Sequence, residues 1–204
     1  MFSSPYLIGL AGGSGSGKTA LARKIADRLS PAKSVILELD SYYLDRSALA
    51  PESLNFDTPS AFDYVLLSEH IRALARGVAI DKPVYDFAGH ARLKRTERIT
   101  PRNYVLIEGL FALYWPEVRG RLDLKVFIDA DDRACLKRRL ARDVLERGRT
   151  WGLIEEQYQT TVRPMFESFV RPTRKFADLI IDGREDLEAM AAALLTRLDP
   201  PPHL

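Results

Sequence analysis

A strand, a glycine-rich turn and the start of a helix follow one another in YLIGLAGGSGSGKT, residues 6–19. The first six residues are an apolar run of the length of a buried strand. Residues 12–19, GGSGSGKT, match the pattern G-x-x-x-x-G-K-[ST], and TALARKIADRL at 19–29 has helical character. In this context the pattern predicts a loop whose backbone N–H groups surround a phosphate chain at the positive end of a helix dipole.

The side chains of this loop indicate a nucleoside triphosphate as the ligand. Lys18 is expected to reach the β- and γ-phosphates, and the Thr19 hydroxyl is expected to bind Mg²⁺. The alternative, a glycine-rich turn that contains a lysine by chance, is disfavoured because both the motif and its context are complete. The candidate triphosphate-binding residues are Gly12, Gly13, Ser14, Gly15, Ser16, Gly17, Lys18 and Thr19.

The rest of the chain alternates between predicted strands and helices. Further strands are predicted at 34–40, 104–109, 124–130 and 178–183. Helices are predicted at 61–76, 131–147, 153–169 and 187–198, a loop at 45–60 and a hairpin-like insertion at about 78–100. This alternation is typical of α/β folds in which helices cover both faces of a parallel sheet and ligands bind at the carboxyl ends of the strands.

Composition limits the classes of protein to which this chain can belong. Its 204 residues, 46% of them hydrophobic, suit a single domain, 1–204, with one core. The net charge of +2 gives no overall reason to expect a nucleic-acid or membrane partner. The single cysteine, Cys135, excludes an intrachain disulfide and suits a reducing compartment. With no basic leader and no apolar run of about 20 residues, the sequence predicts a soluble, cytoplasmic protein.

Acidic residues at the ends of predicted strands are candidates for the rest of the phosphate site. Asp40 and Glu108 would lie beside the phosphate loop, where a carboxylate can hold Mg²⁺ or accept a proton from an attacking hydroxyl. Each could instead be an ordinary acid that caps the next loop. Asp129 directly precedes a basic helix, so helix capping is the favoured interpretation there.

Missing motifs narrow the class of phosphate-loop protein. The base-reading N-K-x-D of regulatory GTPases and the L-S-G-G-Q of transporters are absent, which leaves a small kinase with an insertion able to hold an acceptor. Arg138, Arg139, Arg142 and, further on, Arg149 would then stabilise the charge on a transferring phosphoryl group from a lid at about 139–153. The alternatives for this basic run are a solvated helix face and nucleic-acid binding, which the near-neutral net charge disfavours.

Several longer segments are more specific than the phosphate loop. They are LDSYY (39–43), NFDTPSAFD (55–63), PVYDFAGHAR (83–92), IEGLFALY (107–114), the segment 127–150 ending in ERGRT, and 157–181 beginning with QYQTT. In their order and over nearly the whole chain, these segments resemble those of the uridine–cytidine kinases.

The resemblance implies a fold, a reaction and an assembly. The fold would be the three-layer P-loop kinase fold, a five-stranded parallel sheet flanked by helices with a β-hairpin over the nucleoside site. The reaction would move the γ-phosphoryl of ATP to the 5′-hydroxyl of uridine or cytidine with Mg²⁺, with GTP as a further candidate donor. Asp40 would be the catalytic base near the metal, and Glu108 would join Thr19 there. The family also suggests a homotetramer.

The same resemblance implies a nucleoside site. Asp57 would hold the ribose hydroxyls, while Tyr85 and His90 would read the edge of the pyrimidine. A histidine can donate or accept a hydrogen bond, so it can meet the carbonyl of uracil or the amino group of cytosine. The implied nucleoside-binding residues are Asp40, Asp57, Tyr85, Phe87, His90, Arg139, Arg149 and Gln157, and the catalytic set is Lys18, Asp40, Arg142 and Arg149.

One stretch departs from the family pattern, which usually has Ser or Thr on both sides of the hairpin histidine. Here Gly89 and Ala91 flank His90, so two hydroxyls that could orient the imidazole are missing. The departure concerns base selectivity rather than phosphoryl transfer, and without the family His90 could be an ordinary surface histidine.

Two other functions stay open at this point. A kinase of another hydroxylated acceptor, such as a sugar phosphate in the manner of phosphoribulokinases, would need a basic acceptor pocket, which Asp57, Tyr85 and His90 do not make. A non-catalytic nucleotide-binding regulator would be expected to have lost Lys18, Asp40 or the arginines, and all of these are present.

Overall fold

Five parallel strands form the central sheet of the computed structural model, which describes residues 4–50, 54–147 and 150–198. The strands lie side by side in the order β2-β5-β1-β6-β7. They are β1 (Tyr6–Gly12), β2 (Ser34–Glu38), β5 (Tyr104–Glu108), β6 (Leu124–Asp129) and β7 (Leu179–Asp182). Because β1 is central, its carboxyl end lies between those of its neighbours β5 and β6.

Helices cover both faces of this sheet, as the sequence predicts. They are α1 (Lys18–Leu29), α2 (Tyr64–Ala75), α3 (Pro116–Arg119), α4 (Asp132–Arg147), α5 (Trp151–Gln157), α6 (Arg163–Met165) and α7 (Leu187–Leu195). Side chains of β1 alternate between the two cores: Ile8 packs with α1 and α7, and Leu7 packs with α2. None of the helices in the described ranges is long and apolar enough to cross a bilayer.

An antiparallel hairpin stands apart from the central sheet. Its strands are β3 (Ile80–Asp86) and β4 (Ala91–Ile99), within the predicted insertion. At its tip the Asp86 carboxylate accepts hydrogen bonds from the backbone N–H groups of Ala88 (3.1 Å) and Gly89 (3.2 Å). A Cβ at position 89 would approach Asp86 Oδ2 to 2.8 Å, so a larger residue there would require the carboxylate to move. The turn geometry thus accounts for one of the two departures beside His90.

Two details of the predicted elements are wrong. The strand predicted at 34–40 ends at Glu38, and Asp40 lies in a 3₁₀ turn, Leu39–Tyr42. Asp129 does not cap α4: the Asp131 carboxylate accepts from the N–H groups of Arg133 (2.8 Å) and Ala134 (3.2 Å). Asp129 instead accepts a hydrogen bond from Arg174 Nε at 3.0 Å, because it still belongs to β6.

The helix predicted at 153–169 is longer and less regular than expected. Helical structure runs from Trp151 to Phe176 and contains two π-helical turns, Tyr158–Val162 and Phe166–Val170. Each ends at the valine of a Val-Arg-Pro tripeptide, at 162–164 and 170–172. Proline has no N–H and its ring crowds the preceding turn, so the wider turn before each proline is the expected accommodation.

A buried lysine joins the hairpin to the sheet. Lys82 of β3 is 6% exposed, and its ammonium contacts Glu38 of β2 at 2.7 Å and Glu97 of β4 at 3.1 Å. Burial lowers the pKa of Lys82, but the hydrogen bonds and charges of Glu38 and Glu97 outweigh burial, so the pKa is raised. Lys82 therefore stays charged where the hairpin meets the edge strand β2.

Replacing this lysine tests its contribution to stability. We expect Lys82→Met to lower the free energy of unfolding by about 1–3 kcal/mol in urea denaturation, because the ion pairs are lost while the apolar stem is kept. Arg98→Met is the matched control, since Arg98 pairs with Asp81 on the exposed face of the same hairpin. That control should cost less than about 1 kcal/mol. Equal losses in the two variants would contradict the role of Lys82.

Candidate active site

The phosphate loop connects β1 to α1 and folds tightly around its own backbone. The Lys18 ammonium donates to the carbonyl oxygen of Gly13 at 2.7 Å, across the turn. Gly15 has a φ of +80°, and a Cβ there would lie 2.4 Å from the carbonyl oxygen of Cys135 at the start of α4. Only glycine meets both conditions, so the loop is shaped by its sequence together with α4.

Two acids and a hydroxyl face Lys18 at the carboxyl ends of β2 and β5. The Thr19 hydroxyl donates to Glu108 Oε1 at 2.9 Å. Burial raises the pKa of Glu108 to about 7, with Lys18 acting in the opposite direction. Burial likewise lowers the pKa of Lys18, while the charges of Glu108 and Asp40 raise it. The four side chains form one coupled group of charges and donors.

This group fits a magnesium ion that is shared with phosphates. Among the described residues no three His, Cys, Asp or Glu side chains converge as a self-sufficient metal site. Mg²⁺ in phosphotransferases commonly takes one or two carboxylates and completes its shell with phosphate oxygens and water. The buried Thr19–Glu108 pair, with Asp40 in the same cavity, supplies that kind of partial ligand set.

A cavity of about 920 Å³ extends from the phosphate loop to the tip of the hairpin. It brings together residues from distant parts of the sequence. The predicted site residues that line it are Ser14, Gly15, Gly17, Lys18, Thr19, Asp40, Asp57, Tyr85, Phe87, His90, Glu108, Arg139, Arg142 and Gln157. Gly12, Gly13 and Ser16 belong to the loop but do not line the cavity, and Arg149 lies outside the described residues.

Aromatic rings form the end of the cavity that lies under the hairpin. The imidazole of His90 packs against Phe56, with ring centroids 5.1 Å apart, and Tyr85 packs against Tyr43 at 5.4 Å. Phe87 contacts Tyr85 edge to face and is 44% exposed. The Tyr85 hydroxyl is buried and has no hydrogen-bond partner among the described residues. A buried donor of this kind is suited to a ligand that supplies an acceptor.

The sequence did not identify two of these aromatic residues as part of a site. Tyr43 and Phe56 both line the cavity, and each lies within the segments LDSYY and NFDTPSAFD that carry Asp40 and Asp57. Their positions in the sequence, close to Asp40 and Asp57, could have indicated that they line the cavity. A short turn that directs an acid into a pocket also brings its neighbours there.

Helix α4 delivers two arginines into the cavity. Arg139 is buried, donating to Ser14 Oγ at 2.9 Å and to Gln157 Oε1 at 3.1 Å. Arg142 Nε donates to Asp143 Oδ1 at 2.8 Å, and Arg139 Nε lies 3.6 Å from Asp143 Oδ2. The alternative that these two arginines belong to a solvated helix face is therefore wrong. The fully buried carboxylate of Asp143 contacts both guanidinium groups and holds them at the cavity.

Asp57 lines the same cavity as the two arginines and the aromatic rings. It is 8% exposed, and burial raises its pKa while the charge of Arg139 lowers it. A buried carboxylate near an arginine, at the wall of a cavity that also holds aromatic rings, is suited to binding neighbouring hydroxyl groups.

The fold and the cavity together define a P-loop kinase. The strand–loop–helix unit, the lysine in the loop and the acid pair at the strand ends are the parts that this class uses to bind and transfer a phosphoryl group. The model of the Phosphoribulokinase / Uridine kinase family matches residues 7–188, and the chain belongs to that family.

Individual relatives agree with the family match over most of the chain. A protein named uridine kinase from Geobacillus kaustophilus is 44% identical over 206 residues, covering 98% of each chain. Another uridine kinase, from Deinococcus deserti, is 47% identical and covers 87% of each chain. The solved structure of phosphoribulokinase from Rhodobacter spheroides has a TM-score of 0.65 at 16% identity, covering 89% of this chain and 73% of that chain. The last of these shows a shared fold.

The burial of Glu108 makes stability depend on pH in the protein free of nucleotide and metal. Its pKa is about 7 in the folded state and near the usual 4.5 in the unfolded state, so folding favours the protonated form. The contribution of Glu108 to stability is therefore fully present below pH 4.5 and is lost as the pH rises through 7. We expect Glu108→Gln to be more stable than the wild type at pH 8 by up to about 3 kcal/mol.

This difference is measured by urea denaturation of both proteins from pH 4.5 to pH 8 in EDTA. The advantage of Glu108→Gln should grow across this range and then level off. A difference that does not change with pH would mean that Glu108 titrates at its ordinary pKa in the folded protein.

Proposed function

We propose that this protein is an ATP- and Mg²⁺-dependent uridine kinase that also accepts cytidine, and that it serves pyrimidine salvage. The observation that carries the proposal is a single cavity with a phosphate-binding group at one end, Lys18, Thr19 and Glu108, and an aromatic group under the hairpin at the other. The uridine kinases among its relatives match this chain almost from end to end, which supports the same substrate class.

The reaction is a phosphoryl transfer between two oxygens. The 5′-oxygen of the nucleoside forms a bond to the γ-phosphorus of ATP, the bond from that phosphorus to the β–γ bridging oxygen breaks, and ADP leaves. The proton of the 5′-hydroxyl passes to a carboxylate oxygen of Asp40. Lys18 and Arg142, with Arg149, stabilise the charge on the transferring group. Thr19, Glu108 and Asp40 would hold Mg²⁺, which when bound would neutralise charge on the phosphates.

The acceptor end binds the nucleoside by its sugar and by its base. Asp57 accepts hydrogen bonds from the ribose hydroxyls, Arg139 and Arg149 help to bind the nucleoside, and Gln157 completes the wall. Tyr85 and His90 bond to the edge of the pyrimidine, and Phe87 packs against the ring. The Tyr85 hydroxyl, which is buried without a partner among the described residues, supports this role.

Sugar phosphates fit this acceptor end less well than nucleosides do. The walls around Tyr85 and His90 carry the rings of Tyr43 and Phe56, whereas a second phosphate group would need cationic donors. We also propose a homotetramer, and GTP as a second donor, on the resemblance alone. The cell compartment we propose is the cytoplasm, and neither nucleic acid nor membrane is a proposed partner.

Measurement of ADP release tests this assignment. The protein is given ATP and Mg²⁺ with uridine, cytidine, thymidine, adenosine or ribulose 5-phosphate. We expect turnover with uridine and cytidine, and the ratio of the two reports on how His90 reads the base beside Gly89 and Ala91. Turnover with ribulose 5-phosphate alone, or with none of the acceptors despite ATP binding, would refute the proposal.

Replacing Asp40 separates proton transfer from binding. We expect Asp40→Asn to lower kcat by about 10²–10⁴-fold while the Kd for uridine changes little, because the amide keeps the shape but is a poor base. Asp27→Asn, at an exposed position on α1, is the matched control and should match the wild type. Turnover of Asp40→Asn within a few-fold of wild type would remove Asp40 from the mechanism.

A further inference from the structure

Arg92, at the start of β4, holds together three segments that surround the acceptor end of the cavity. One guanidinium nitrogen donates to Asp63 Oδ2 at 2.8 Å. A second guanidinium nitrogen, Nη2, donates to the carbonyl oxygens of Tyr43 at 3.0 Å and Tyr42 at 3.3 Å. Its backbone N–H donates to Asp45 Oδ2 at 3.1 Å. The planar fork of one arginine thus reaches two different segments at once.

Each partner of Arg92 belongs to a segment with its own function in the site. Tyr42 and Tyr43 lie two and three residues after Asp40, at the end of the 3₁₀ turn that carries this acid. Asp63 is the N-cap of α2, where its other oxygen accepts from the N–H of Leu66 at 3.1 Å. Arg92 itself lies two residues beyond His90, so its hydrogen bonds connect the hairpin tip to the turn that carries Asp40.

Other contacts near Arg92 also join the hairpin to the residues that follow the 3₁₀ turn. The backbone N–H of Arg46 donates to the carbonyl oxygen of His90 at 2.9 Å. The ring of Tyr43 packs against Tyr85 at 5.4 Å and against Phe56 at 5.2 Å. Without the Arg92 side chain, the hydrogen bonds from the Arg46 N–H to His90 and from the Arg92 N–H to Asp45 would remain between the hairpin and this segment, together with ring packing.

The Arg92–Asp63 ion pair is three-quarters buried, the two side chains being 24% and 25% exposed. Partial burial weakens screening by solvent, and the bonds to two carbonyls hold the guanidinium in one orientation. The charge of Arg92 also contributes, with the hydrogen bond, to lowering the pKa of Asp63 against the effect of burial. Arg92 is therefore a fixed connection rather than a flexible surface pair.

We propose that Arg92 is a positioning residue for the acceptor: it sets the distance between the base-reading residues of the hairpin and Asp40. The proposal rests on the proposed function, because it assumes that the hairpin holds the nucleoside base while Asp40 faces the 5′-hydroxyl. Arg92 does not line the cavity, so it acts through Tyr43, His90 and the 3₁₀ turn rather than on the substrate. Lys82, by contrast, anchors the base of the hairpin at β2.

Without the Arg92 side chain the two ends of the nucleoside would be held by parts of the protein that are joined less rigidly. A misplacement of about 1 Å between reacting groups costs on the order of 10²-fold in rate. The phosphate loop has no contact with Arg92 in the described hydrogen bonds, so ATP binding should be unaffected.

The test compares Arg92→Met with the control Arg98→Met on the same strand, where Arg98 is exposed. For Arg92→Met we expect kcat/KM for uridine to fall by about 10²-fold, with a loss in kcat, while the KM for ATP stays within twofold. Arg98→Met should match the wild type in all three. An unchanged kcat/KM for uridine in Arg92→Met, or an equal change in the KM for ATP, would overturn the proposal.

A second readout needs no substrate. Hydrogen exchange of the Arg46 amide reports whether its bond to His90 opens, and we expect faster exchange in Arg92→Met than in wild type or Arg98→Met. This readout separates the two proposals: if the wild type phosphorylates neither uridine nor cytidine, the proposed function fails, while exchange still tests the connection. Unchanged exchange at Arg46 would overturn the role of Arg92.

Asp63→Asn keeps the experiment decisive if Arg92→Met does not fold. An asparagine retains the oxygen that caps α2 but loses the ion pair with Arg92. We expect the same pattern with a smaller fall in kcat/KM for uridine, because the bonds from Arg92 to the two carbonyls remain. A wild-type kcat/KM for uridine together with wild-type exchange at Arg46 would contradict the proposal.

Discussion

The burial of one positive charge in the phosphate loop organises the site. The Lys18 ammonium is held by the carbonyl of Gly13 inside the turn, and Glu108 and Asp40 offset the cost of burying it. This hydrogen bond holds the Lys18 ammonium beside the phosphate loop, where it can contact the phosphates of a triphosphate. The strand order serves the same requirement, because β5, beside β1, ends at Glu108, and β2, beside β5, leads into the 3₁₀ turn that carries Asp40.

The aromatic end of the cavity, under the hairpin, depends on a different kind of interaction. There the walls come from the 3₁₀ turn after β2, the segment around Phe56 and Asp57, and the hairpin, none of which belongs to the central sheet. Aromatic packing brings their rings together, and Lys82 and Arg92 fix the hairpin at its base and near its tip. The phosphate-loop end of the cavity is thus built into the sheet, whereas the aromatic end is assembled from loops and the hairpin by ring packing and a few charged contacts.

This difference explains how much of the structure could be predicted from the sequence. The phosphate loop, the strands and most helices depend on local patterns, and the structure confirms the parallel sheet with helices on both faces. Residues such as Asp57 and His90 were placed only through resemblance, since nothing local directs them to a common cavity. The contacts of Arg92 with Tyr42 and Asp63 join residues 50 and 29 positions away, which periodicity and spacing do not reveal.

The errors have equally specific causes. Asp129 was expected to cap α4, but β6 continues through that residue and the cap falls two positions later, at Asp131. The helix predicted at 153–169 runs through Pro164 and stops before Pro172, whereas the structure stays helical past both prolines and places a π-helical turn before each of them. The inward orientation of Arg139 and Arg142 depends on the buried carboxylate of Asp143, which looks like any surface acid in the sequence.

The most direct test of the whole account is identification of the product by phosphorus NMR after incubation with ATP, Mg²⁺ and uridine. The arrangement of Asp40 between the phosphate loop and the hairpin predicts one product, the nucleoside monophosphate with phosphorus on the 5′-oxygen, formed in equal amount to ADP. Phosphorylation of a ribose 2′- or 3′-hydroxyl, or ADP and free phosphate without a nucleoside monophosphate, would contradict it.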